Sequence, residues 1–125
     1  MGYDFCIMPL KDAGKWQFPI SFDLIPDEDQ VGYLPWPEFR QWIKSIGGTE
    51  NGSNDSLVVD YGGDEYIYFS GNEEYISLDV HSDWSRVLEA FQKLLDLEPN
   101  CSLTDPQSGD FHDIQSFKAF WGADA

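Results

Sequence analysis

The chain has 125 residues, of which 42% are apolar and 16% aromatic. That is the profile of one soluble globular domain, residues 1–125, with no room for a second and no need of metals or disulfides to hold a core. Twenty-three Asp and Glu against seven Lys and Arg give a formal charge of −16, beyond the magnitude of roughly 2–8 that suits solubility alone. This excess argues against a nucleic-acid ligand, whose phosphates need Lys and Arg, and points to a basic protein or a cation. No run approaches the ~20 apolar residues of a membrane span, and the opening MGYDFCIMPLK lacks a signal-peptide pattern, so a cytoplasmic protein off the membrane is expected.

In chain order, YDFCIMPL at 3–10 predicts a first strand that Pro9 ends. From Gly14 to Pro37 the aromatics and prolines follow neither period, which predicts a long irregular segment pinned by its aromatic side chains, with Asp27, Glu28 and Asp29 at a solvated tip. Pro37 opens a helix in which Phe39, Trp42, Ile43 and Ile46 share one face and Arg40 and Lys44 the other, and Gly47-Gly48 stops it. TENGSNDS then reads as a mobile polar loop.

Residues 57–80 carry the strongest β signal. LVVDY is a strand broken at Gly62-Gly63, and YIYF and YISLDV form a hairpin. A two-residue type II′ turn at Gly71-Asn72 sets Ile67 opposite Ile76, Tyr68 opposite Tyr75, and Asp64 opposite Asp79. Ile67, Phe69, Ile76, Leu78 and Val80 then face the core, and Tyr66, Tyr68, Tyr75, Ser77 and Asp79 the other way. Beyond them, Ser82 or Asp83 caps a helix with the stripe Trp84, Val87, Leu88, Phe91, Leu94 and Leu95, which Glu98-Pro99-Asn100 ends. CSLT is a strand, DPQSG a turn and DFH a return strand. Asp113 caps a last helix in which Ile114, Phe117, Phe120 and Trp121 share a side. The order predicts an α+β fold, an antiparallel sheet with helices packed on one face.

Little in this order carries catalytic chemistry. Cys6 and Cys101 are isolated thiols without metal-ligand spacing, and a disulfide between them requires neighbouring strands. Asp105, Asp110, His112 and Asp113 could converge on a cation, yet turn and cap roles account for each carboxylate. NGSNDS and DYGGDE fail the calcium-loop pattern, and no nucleophile elbow, H-E-x-x-H or phosphate loop occurs. No catalytic residue, cofactor or metal ligand is therefore assigned, and the chain is expected not to be an enzyme.

The tyrosine face is the candidate site. Tyr66, Tyr68 and Tyr75, bordered by Asp64, Glu73, Glu74 and Asp79, combine flat amphipathic area with negative charge, as binding hot spots do. The competing reading has the N-terminal segment or the last helix covering this face. MGYDFCIMP, WSRVLEAFQKLL and LTDPQSG, in that order, resemble small acidic bacterial proteins of the polymorphic-toxin immunity type. The resemblance implies an inhibitor of a basic, nuclease-like toxin domain and carries over no catalytic residues. An adaptor or regulatory domain, or a small-molecule or cation-binding domain, stands as the alternative.

Overall fold

The computed structural model describes residues 3–53 and 55–121. Met1, Gly2, Asn54 and the side chain of Trp121, all within segments discussed above, lie outside the described residues. Eight strands form one antiparallel sheet: β1 (Tyr3–Pro9), β2 (Ile20–Ser21), β3 (Thr49–Ser53), β4 (Ser56–Gly62), β5 (Glu65–Gly71), β6 (Ile76–His81), β7 (Cys101–Asp105) and β8 (Asp110–His112), in the order β2-β8-β7-β1-β6-β5-β4-β3. Among the described residues, three helices accompany it: α1 (Trp36–Ser45), α2 (Trp84–Leu97) and α3 (Ile114–Trp121). Sequence-distant β1 sits at the centre, between β6 and β7.

Because side chains alternate along a strand, cross-strand register decides which residues share a face. Leu57, Phe69, Leu78 and Phe5 align across four strands, flanked by Val59, Ile67 and Val80 on one side and by Ile76, Ile7 and Leu103 on the other. They are buried together with Phe39 and Ile43 of α1, Val87, Ala90, Phe91 and Leu94 of α2, and Phe117 of α3. The helix ends follow their sequence signals. Asp83 accepts the Ser85 amide at 3.1 Å to start α2, and Asp113 accepts the Ser116 amide at 2.8 Å to start α3.

A second cluster lies on the opposite face. There Cys6, Thr104, Phe111 and Ile20 follow one another across β1, β7, β8 and β2. Leu10, Ala13 and Ile25 bury Phe111 and Ile20 from above, with Trp16, Phe18 and Phe22 packed around them. The Phe22 ring meets Phe111 edge-on at 5.1 Å. The irregular segment is thus pinned by aromatics, but it also supplies strand β2 and three short 3-10 turns, one of them Asp27–Asp29.

Two expectations are corrected here. TENGSNDS is not a loop throughout, since Thr49–Ser53 is an edge strand. All five residues are exposed, so apolar alternation is lacking and main-chain pairing with β4 defines the strand. The hairpin register is also different. Gly71 pairs with Ile76, Ile67 with Val80, and Tyr68 with Asp79. Asn72–Tyr75 is a four-residue loop, closed by the Asn72 amide donating to the Tyr75 carbonyl at 3.0 Å, and the Asn72 side chain accepts the Glu74 and Tyr75 amides. Gly71 is required there, because a Cβ would stand 2.8 Å from the Tyr75 oxygen.

Candidate functional site: the acidic tyrosine face

The corrected register differs from the expected one by four residues, an even number, so side chains keep their faces while their neighbours change. Opposite Asp79 the sheet places Tyr68 on one side and Asp4 on the other, and Val58 follows Tyr68 on β4. One row nearer the β4–β5 turn, Asp60, Tyr66 and His81 align. Of the expected site residues, Tyr66, Tyr68 and Asp79 are brought together. Asp64 does not face Asp79: it lies between β4 and β5, beside Gly63 and outside the ladder. Glu73, Glu74 and Tyr75 sit in the β5–β6 loop at the far end of the strands, so Tyr75 is not a ladder partner of Tyr68.

The side chains form a linked series. The Asp79 carboxylate lies 3.0 Å from Nε2 of His81. The His81 ring stacks on Tyr66 with centroids 4.4 Å apart, and Tyr66 meets Tyr68 edge-on at 5.1 Å. Tyr68 is 36% exposed and Tyr75 44%. At the margin, Ser82 donates to Glu65 at 3.0 Å, and Asp60 accepts the Gly62 amide at 2.8 Å. Asp4, Asp60 and His81 are members of this face that the sequence reading left out. Their signal was present: Asp4 alternates with Phe5 and Ile7, Asp60 follows Val59, and His81 continues Ser77 and Asp79.

Charge is divided unevenly between elements. The eight strands contain seven Asp or Glu and no Lys or Arg, while the three helices contain five Lys or Arg against three Asp or Glu. The helix cations are partly engaged, Arg40 with Glu50 at 3.7 Å and Arg86 over the Tyr61 ring at 4.3 Å. A cationic ligand approaching the tyrosine face meets carboxylates on strands without a strand-borne cation among them.

The residues with nucleophile or ligand chemistry are placed elsewhere. Although β1 and β7 are neighbours, Cys6 pairs with Thr104 and Cys101 with Pro9, and both thiols are free. Burial pushes the Cys101 thiol up to about 12 and raises that of Cys6, which disfavours the reactive thiolate at both. Asp105 accepts the Gln107 amide at 2.9 Å, Asp113 caps α3, and Nδ1 of His112 lies 2.9 Å from the Ser116 hydroxyl. Among the described residues, no group of three His, Cys, Asp or Glu is placed to hold a metal ion. No described helix is long and apolar enough to cross a membrane. The chain matches no protein-family model and no curated protein sequence.

Proposed function

We propose that the chain is a non-enzymatic binding protein, one α+β domain with its helices against one face of the sheet and the other face receiving a basic protein. The partner it fits best is a nuclease-like toxin domain, which makes the chain an immunity protein acting in the cytoplasm, with neither nucleic acid nor membrane as its ligand. The observation that carries the reading is the strand-borne charge: no strand carries Lys or Arg, and Asp4, Asp60 and Asp79, three of the seven strand carboxylates, share one face with Tyr66 and Tyr68. A site that cleaves nucleic acid must attract phosphate with Lys and Arg, so an acidic, aromatic surface complements it and speeds encounter. Tyrosines supply the desolvated contact area that charge alone does not.

Co-purification with the product of the adjacent gene tests this, followed by a nuclease assay of that product with and without the chain. A stable complex and loss of cleavage are expected. Failure to co-elute, with cleavage unchanged at excess chain, overturns the reading.

A further inference from the structure

Beside the tyrosine face the surface sinks into an open groove of about 590 Å³. Its floor is Cys6 and Met8 of β1, and its walls are Val31 and Tyr33 from the segment before α1 and Glu74 and Tyr75 from the β5–β6 loop. Three of the large apolar side chains most open to solvent meet there: Val31 is 62% exposed, Tyr33 77% and Tyr75 44%. Tyr33 and Glu74 also border a second hollow of about 390 Å³, with Trp36 and Glu73. Tyr33 is therefore a ridge between two hollows, and Glu74 stands at the edge of both. Among the described residues, neither hollow is lined by Lys or Arg.

The walls are fixed before any ligand arrives. The Leu34 amide donates to the Glu73 carbonyl at 2.7 Å, tying the Tyr33 segment to the hairpin loop, and Asn72 closes that loop from within. A prepared groove spares a ligand the loss of loop freedom on binding. Exposed aromatic and aliphatic walls favour an apolar side chain, and Glu73 and Glu74 favour a cation next to it.

We infer that this groove is a second anchor point for the basic protein, receiving an exposed loop in which an apolar side chain is followed directly by Lys or Arg. The apolar group fills the space between Val31, Met8 and Tyr75. The cation reaches Glu74 while its aliphatic stem lies along Tyr33. This rests on the proposed reading in taking the partner to be a basic protein, and it adds where and by what pattern that partner is gripped.

The test is an amide-resolved NMR titration with two probes, acetyl-Ala-Leu-Arg-Ala-amide and acetyl-tetra-arginine-amide. The first is expected to shift Met8, Val31, Gly32 and Tyr75. Affinity should fall at least tenfold when its Leu is replaced by Ser or its Arg by Glu, and equally in Glu74→Lys or Val31→Ser chain whose other resonances are unchanged. The second probe is expected to shift Tyr66, Tyr68, Asp79 and His81. A silent groove with a responsive tyrosine face overturns the anchor and leaves the proposed function standing. A responsive groove with a silent face keeps the anchor and overturns the tyrosine face as the docking surface for the basic protein, silence at both removes both, and equal binding of the Glu-substituted peptide overturns the charge pairing.

Discussion

The sheet face that carries Cys6 has two halves built from similar strands and put to different uses. On β7, β8 and β2 it is roofed by residues 10–25, which bury Phe111 and Ile20 under Leu10, Ala13 and Ile25. On β6, β5 and β4 Tyr68 stands open to solvent. The roofed half has apolar side chains where the open half has Tyr66, Tyr68, Asp79 and Asp60. An aromatic-rich segment is available in this chain to cover a sheet face, and it covers the half whose side chains repay burial by the hydrophobic effect. Covering the open half would require desolvating carboxylates without a strand-borne Lys or Arg to meet them.

The largest effect that can break this comparison is in the roofed half. Phe111→Ala removes the ring on which the segment rests, and truncating a buried Phe typically costs about 3–5 kcal/mol. Urea denaturation should register a loss in that range, with partner affinity per folded molecule unchanged. A loss below about 1 kcal/mol would mean that the segment is not packed on the sheet.

In the open half the balance is reversed. Tyr68→Ala with Asp79→Ala should weaken partner binding more than tenfold, about 1.4 kcal/mol or more, while altering stability by no more than about 1 kcal/mol. Asp27→Ala with Asp29→Ala, in the 3-10 turn where Asp27 is exposed and Asp29 half-buried, should do less. Isothermal titration against the partner decides it, and a dominant effect of the loop pair would move the binding surface away from the sheet.

How far this division could be read from sequence depends on what kind of information each element carries. Helix α2 and strands β4 to β6 have local periodicity strong enough to place them, and the inward and outward residues of the hairpin follow from alternation alone. The register does not. Gly71-Asn72 has the composition of a two-residue turn, but Asn72 uses its side chain to close a four-residue loop, and that choice moved Asp64 and Tyr75 off the ladder while keeping Tyr66, Tyr68 and Asp79 on one face. β3 was invisible because TENGS buries nothing and is held by main-chain bonds. The place of β1 between β6 and β7 arises from pairing across some seventy to one hundred residues, which no local pattern encodes. Asp4 joined the site through that pairing. Whether the roof covered the tyrosines was open for the same reason.

A smaller effect concerns the junction of β8 and α3, on the core side of the roofed half. His112 is buried with no partner for Nε2 among the described residues, and burial lowers its proton affinity below the usual histidine range against the opposing pull of Asp105, Asp110 and Asp113. The unfolded chain therefore binds a proton more readily than the folded one. Stability is retained above the unfolded value near 6.5 and declines as pH falls through it toward the lowered folded value. Urea midpoints measured between pH 7.5 and pH 5 should fall in the native chain and fall less in His112→Gln. Identical slopes would mean that the ring is not held neutral by its surroundings.

The smallest expected effect separates the halves by sign. Screening the −16 formal charge relieves self-repulsion in the compact state, and the strands, with carboxylates but no Lys or Arg, gain most. Raising salt from low to moderate levels should therefore lift the melting temperature of the isolated chain by about 1–3 °C, equivalent to a few tenths of a kcal/mol for a domain this size. Ion pairs such as Arg40 with Glu50 weaken under the same screening, but exposed pairs contribute little, so net repulsion governs the direction. The complex with the proposed basic partner should respond in the opposite sense, because attraction between that partner and the acidic face would be screened by the same ions and the association rate would drop. Thermal scans and stopped-flow association over one salt series measure both. A melting temperature that falls along with the association rate would show that specific pairs, not excess charge, dominate the free chain, and the acidic face would then be maintained at no cost to its stability.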